Sequence, residues 1–361
     1  MHCISINANL VLEDGSVFPG LSVGAPGSVS AEIAFTTTMA GYQEAVTDPS
    51  YRGQALVFSY PLVGNYGVMA EAAQSPRAQT RAVVMRHARE EWSNWLRAEG
   101  VVAISGVDTR SLVRHVRSAG AMRCAVGPVP VPELRKMALS EPHIDYARSL
   151  QEPGLAMAPL ALEVSVSHPY RVGSGPRVVV VDLGCKTSVI RAIADEELEA
   201  LVVPATYGVG EILDLSPSAV LIGNGPGDPA QLADQIATIR SLLGTVPLFG
   251  ICLGHQLIAH ALGWGTFKLP FGHRGSNHPV KENKTGRVMV TSQNHGFAVD
   301  ADDSALVTHI SLNDSTVEGI RGDGFTSVQF HPEAAPGPSD GFGFFEELRR
   351  ACRRVPISAA S

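Results

Sequence analysis

A single cysteine stands between an apolar run and an apolar helical stretch, with a glycine two residues to either side: Pro247-Leu248-Phe249-Gly250-Ile251-Cys252-Leu253-Gly254-His255-Gln256. Glycines so placed let a strand turn sharply into a helix, which is the shape of a nucleophile elbow. A sulfur there sits at a helix N-terminus, where the dipole and free N–H groups favour thiolate over thiol. The N–H of Leu253 would face the oxyanion formed when that thiolate attacks a carbonyl. Burial as a small core residue is the commoner fate of a lone cysteine; the elbow setting reverses that preference for Cys252.

A thiolate attacking an amide needs an acid/base, and the base needs an orienting group. Val328-Gln329-Phe330-His331-Pro332-Glu333 offers both. If the chain stays extended through Pro332, residues 331 and 333 project to one side, imidazole beside carboxylate. His331 lies 331 − 252 = 79 residues downstream of the cysteine, so their pairing must be spatial. The chain has 12 histidines, and His255, His260, His273, His278 and His295 compete for the role. Only the attached Glu333 favours His331. A third stretch, Ala219-Val220-Leu221-Ile222-Gly223-Asn224-Gly225-Pro226-Gly227-Asp228-Pro229, ends an apolar run in glycines. It matches neither the dinucleotide fingerprint nor the phosphate loop. Gly225 and Gly227 could present N–H groups to an oxyanion, but a tight turn before a proline-started helix explains them equally well.

The elements that must hold these residues follow from the pattern after Arg177. Val178–Val181 is a continuous β-branched run, suited to a parallel strand buried on both faces. Strands over 200–203, 219–222 and 247–250 alternate with helices over 188–200 and 229–243 and a shorter one between, which predicts a parallel sheet with helices on both faces. Ligands in such folds bind beyond the carboxyl ends of the strands, where the cysteine and the glycine-rich loop lie. The first ~125 residues read as a smaller β/α domain. Asp14-Gly15 joins a hairpin of 9–12 and 16–18. Strands follow over 30–36, 54–59 and 82–86, with helices over 90–98 and 108–118, the latter capped by Asp108 or Thr109. Prolines 128, 130, 132, 142, 153, 159, 169 and 176 break up the stretch between, so it reads as a connector with one short helix over 133–139.

The chain has 361 residues, enough for two domains at about 150 residues each. Apolar residues make up 45% and charged residues 17%, which fits a globular protein and not a disordered one. A net charge of −7 leaves no basic field for nucleic acid or an anionic membrane. No apolar run reaches the ~18 residues of a membrane span, and the start lacks a signal-peptide pattern. Five cysteines without a CxxC pair point to a reduced, cytoplasmic chain, and no metal site is expected.

Together the GICLGHQ elbow, the NGPGDP loop and the HPE end resemble the class I glutamine amidotransferases. LEDGSVFPG (12–20), TTTMAGYQEAVTDPSY (36–51), YPLVGNYG (60–67), SGVDTRSLVRHVR (105–117), FGHRGSNHPV (271–280) and SQNHGFAV (292–299) extend the likeness over nearly the whole chain. The family they resemble is that of carbamoyl-phosphate synthase small chains. The resemblance implies a flavodoxin-like glutamine amidotransferase domain over 177–355, a connector over 131–176, and an N-terminal domain over 1–130 that contacts a large chain. It implies Cys252 as nucleophile, His331 as acid/base and Glu333 as its orienting carboxylate, with Gly225 and Leu253 as oxyanion donors. Glutamine would be held by Gly227, Gln256, Asn294, Gly296, Phe297 and, from the first domain, Thr38, where serine is common in the family. The chain itself would need no cofactor, since ATP and Mg belong to the large chain, which receives the ammonia. Two departures stand out. DLGCKTSVIR keeps Lys186 but has Ser188 where asparagine is usual, and the usual glycine near 77–86 is missing. The competing expectations are the glutaminase chain of another synthase, and a silent scaffold or regulatory subunit.

Overall fold

The β-branched run after Arg177 forms the strand Arg177–Asp182, whose residues from Val178 onward are all buried, as a central parallel strand requires. The computed structural model describes residues 6–149, 151, 158–301 and 305–354. These fall into two units: Met1–Leu160 with Lys268–Gly275, and Ala161–Phe267 with Ser276–Ser361.

In the first unit seven strands close into a barrel, in the order Ile6–Leu12, Val17–Ser22, Val102–Ser105, Ala82–Val84, Gln54–Phe58, Val29–Thr36 and Arg123–Gly127. Closure leaves no unpaired edge. The expected hairpin is present: Leu10 pairs with Phe18 and Val11 with Val17 around the Asp14-Gly15 turn. The helix Glu90–Ala98 buries Trp92 and Leu96, and Thr109–Ala119 buries Leu112 and Val116. Of the two candidate caps for the second helix, Asp108 is the one used, accepting from Ser111 N at 3.1 Å.

The proline-rich stretch is more ordered than proline density suggests. A helix runs over Val131–Ser140, longer than expected, because Pro130 and Pro132 sit at its opening, where proline costs no hydrogen bond. Its Leu134 and Ala138 pack on Val11 and Ala125 of the barrel. Two further short helices, Tyr146–Ser149 and Leu160–Val164, follow. The boundary between units falls at Leu160, inside the stretch expected as a connector. Pro153 and Cys3 lie outside the described residues.

The second unit carries a ten-stranded sheet in the order Tyr170–Val172, Glu199–Pro204, Arg177–Asp182, Ala219–Ile222, Leu248–Ile251, Phe325–Val328, Val317–Gly322, Val288–Asp300, Gly265–Glu282 and Val307–Ser311. Pairing is parallel from Glu199–Pro204 through Phe325–Val328. In chain order those five strands run second, first, third, fourth, fifth, which is the flavodoxin-like order. The helix expected over 188–200 stops at Asp195, where a turn with Glu197 at φ 58° leads into the strand Glu199–Pro204. The helix expected over 229–243 is a short 3-10 turn, Pro229–Gln231, followed by Ala233–Leu242. Among the described residues no helix is long and apolar enough to cross a membrane.

Candidate active site

Strand Leu248–Ile251 turns at Cys252 into the helix Leu253–Ala261. Cys252 holds φ 54° and ψ −102°. A positive φ at a non-glycine residue costs of order 1–3 kcal/mol and persists only where the surroundings enforce it. Here they do. Cys252 N donates to Val328 O at 2.9 Å, pinning the elbow to the neighbouring strand. Gly254 lets the helix approach the sheet, since a Cβ there would lie 2.1 Å from the carbonyl oxygen of Ile222. Gly254 N donates to Gly223 O and Gln256 N to Cys252 O. The N–H of Leu253 opens the helix with no helical partner, the position an incoming oxyanion needs. Gly225 comes close alongside: a Cβ built on it would lie 3.0 Å from Leu253 Cδ2 and 2.1 Å from Leu183 O.

The imidazole and carboxylate are in place, by a different route from the one expected. The strand ends at Val328 rather than running extended through Pro332. His331 makes an isolated bridge with Ser292, its N–H donating to Ser292 O at 2.9 Å. A turn at Pro332 and Glu333 then brings the carboxylate back onto the ring, with His331 Nδ1 2.7 Å from Glu333 Oε1. That oxygen also accepts from Lys186 Nζ at 2.7 Å, in an ion pair whose side chains are 3% and 0% exposed. Lys186 carries no role in the sequence reading beyond its place in a family pattern. Its signal is a lysine in a loop that closes a buried strand, where an amine survives only beside a carboxylate.

Burial alone would favour a neutral His331, but the charge of Glu333 outweighs it. Hydrogen bonds to Cys252 and Glu333 add to that effect against the opposing charge of Lys186, and the ring is pushed up to about 10. Burial likewise disfavours the Glu333 carboxylate, but Lys186 and His331 hold it well below the usual carboxylate range. With Nδ1 committed to Glu333, Nε2 is the nitrogen left to exchange a proton with the thiol. The site therefore sets a charged imidazole beside the Cys252 sulfur, an arrangement suited to a cysteine nucleophile.

Three of the competing histidines have ring contacts of their own. His255 Nδ1 lies 2.9 Å from Ser327 Oγ, and burial, with His309 nearby, lowers its pKa to about 3, so it stays neutral. His260 meets Thr266 Oγ1 at 3.0 Å and His295 meets the carbonyl of Phe297 at 2.7 Å. His278 offers its carbonyl to Thr291, and His273 belongs to the first unit.

The remaining candidates of the second unit gather around the elbow. Cys252 Sγ lies 3.7 Å from Asn294 O. Gln256 Nε2 donates to Phe297 O at 2.9 Å and to Gln329 Oε1 at 3.0 Å, which ties the elbow helix to the strand carrying Asn294, Gly296 and Phe297. Gly227 takes φ 94° in the glycine-rich loop, and Asp228 caps the turn that follows by accepting from Ala230 N. Thr38 lies in the first unit, half-buried, its hydroxyl 3.1 Å from Thr36 Oγ1.

Two family models match the chain. Residues 10–126 match the carbamoyl-phosphate synthase small chain, CPSase domain, and residues 179–351 match glutamine amidotransferase class-I. The carbamoyl phosphate synthase small chain of Akkermansia muciniphila is 45% identical, over 96% of this chain and 97% of its own length. The carbamoyl phosphate synthase small chain of Symbiobacterium thermophilum is 43% identical, over 96% of this chain and 99% of its own. A carbamoyl phosphate synthase pyrimidine-specific small chain from Lactiplantibacillus plantarum is 42% identical, over 94% of each.

Proposed function

This chain belongs to the carbamoyl phosphate synthase small-chain family and carries a class I glutamine amidotransferase domain, and from that premise we propose that it hydrolyses glutamine through Cys252, His331 and Glu333 and delivers the ammonia to a large chain. The observation that carries this reading is the buried line Lys186–Glu333–His331 beside the strained elbow of Cys252. Such a line is costly to bury, since two ions out of water cost several kcal/mol each.

In the proposed cycle the Cys252 thiolate attacks the side-chain amide carbon of glutamine. The N–H groups of Leu253 and Gly225 hold the tetrahedral oxyanion. His331, protonated at rest, gives its proton to the departing nitrogen, and ammonia leaves a glutamyl thioester on the sulfur. The neutral ring then takes a proton from water, the hydroxide attacks the thioester, and glutamate and the thiolate are restored. Glu333 keeps the ring oriented and supports its charge through both halves, while Lys186 fixes Glu333. Gln256, Asn294, Gly296, Phe297 and Gly227 are the proposed glutamine contacts. ATP, Mg and bicarbonate are handled by the large chain, and the N-terminal domain is the proposed contact with it.

The test is glutamate release from glutamine by the purified chain, alone and with a large chain added. Release that rises on adding the large chain is expected, since ammonia is consumed there. Release that is absent, or unaffected by a large chain shown to bind, contradicts the coupled reading.

A further inference from the structure

Beneath the glutamine-holding turn lies a carboxylate the cycle above does not use. Glu318, on the strand Val317–Gly322, is fully buried. Its Oε2 accepts from Gln293 Nε2 at 2.7 Å, and its Oε1 lies 3.9 Å from Nε2 of His295, itself buried. The other face of that ring is fixed as well: His295 Nδ1 meets Phe297 O at 2.7 Å, and because a carbonyl only accepts, Nδ1 carries a proton. The same carbonyl takes Gln256 Nε2 at 2.9 Å. Gln256 also donates to Gln329 Oε1, and Gln329 N in turn donates to the backbone carbonyl of Glu318. Between Gln293 and Phe297 stands Asn294, whose carbonyl is 3.7 Å from Cys252 Sγ.

We propose that Glu318 is a positioning residue for the glutaminase reaction: it holds Gln293 by a buried hydrogen bond, with the His295 ring packed close by, and through Gln293 fixes the turn from Asn294 to Phe297 on which glutamine is bound. This rests on the reading of that turn as the glutamine site. The physical basis is the cost of an ionisable group in a dry interior, which is tolerated only beside fixed donors and thereby fixes them in return. Gln293 flanks Asn294 on one side and His295 on the other. With Gln293 held by the carboxylate and His295 tied to the carbonyl of Phe297, the backbone between them cannot rotate without breaking a buried polar contact. Glu318 touches neither the sulfur nor the proposed substrate, so its effect is on where glutamine sits and not on the chemistry of the thiol.

The experiment uses the small chain assembled with its large chain and compares wild type with Glu318→Gln, which keeps the shape and removes the charge. KM for glutamine is expected to rise about 10- to 100-fold, as a displacement near 1 Å in a binding group would cause. The turnover number should stay within about threefold, the pattern of lost binding rather than lost chemistry. Alkylation of Cys252 by iodoacetamide without glutamine should proceed at the wild-type rate. An unchanged KM overturns the proposal, as does a fall in turnover and in alkylation that merely follows a lower melting temperature. If Glu318→Gln does not fold, Glu318→Asp serves, since it keeps the charge and withdraws both oxygens by one methylene. A smaller rise in KM is expected there, and none overturns the proposal. A wild type without Cys252-dependent glutamate release overturns the glutamine-site reading and this inference together, whereas an active wild type with an unaffected variant overturns this inference alone.

Discussion

Cys252→Ala in the assembled synthase should lower carbamoyl phosphate formation from glutamine by at least ~10³-fold, since without the sulfur no acyl-enzyme can form. Formation from added ammonia should stay within about twofold of wild type, because that route skips the thioester and needs only the other chain. The substitution removes one buried sulfur from a position whose backbone is held from outside, by Val328 O and by the packing at Gly254. Positive φ at position 252 costs alanine no more than cysteine, so the elbow is expected to persist. Loss of both activities in a complex that still assembles would assign Cys252 a structural role instead.

Glu333→Gln should be the next most damaging change, with turnover from glutamine falling ~10²- to 10⁴-fold, the range seen when the carboxylate behind a catalytic histidine is neutralised. The amide can still meet the ring but cannot stabilise its positive charge, and Lys186 is left facing a neutral group in a dry site. A pH signature accompanies the loss. In the folded wild type His331 is raised from 6.5 to about 10, so the stability it contributes is complete below 6.5 and is lost as pH rises through about 10. Glu333 is depressed from 4.5, so its contribution is present above that value and is lost as pH falls through its folded pKa. Urea midpoints measured from pH 4 to 10 should therefore fall on both sides for wild type relative to Glu333→Gln, with the two proteins differing most between about 4.5 and 6.5. Parallel curves would mean that His331 and Glu333 are not charged partners in the folded protein.

Local chemistry explains which parts of this were legible in the residues. Asp14-Gly15 marks its hairpin because the turn demands positive φ, and Gly15 takes 91°. The elbow is legible for the same reason, through glycines forced by close backbone approach. The continuous β-branched run at 178–181 announces a central parallel strand. What depends on long-range partners was not legible. His331 could be preferred over its rivals only through the attached Glu333, since the neutralising burial of His255 and the commitment of His295 to Phe297 are tertiary facts. Lys186 and Glu333 are 147 residues apart, and neither neighbourhood names the other. Glu318 reads as one polar residue in a short strand, and only the fold shows that no water reaches it. Pro130 and Pro132 misled in the opposite direction, opening a helix where their density suggested a break.

The central claim is that Cys252 carries a glutamyl group during turnover, and the most direct measurement is to trap it. The complex of small and large chains is mixed with isotopically labelled glutamine, quenched in acid within the steady state, digested and analysed by mass spectrometry. The expected result is one labelled glutamyl group on the peptide containing Cys252, removed by hydroxylamine and missing from Cys252→Ala. Turnover of glutamine with label on a different residue, or with none that survives acid although catalysis is demonstrably limited by deacylation, would contradict the account.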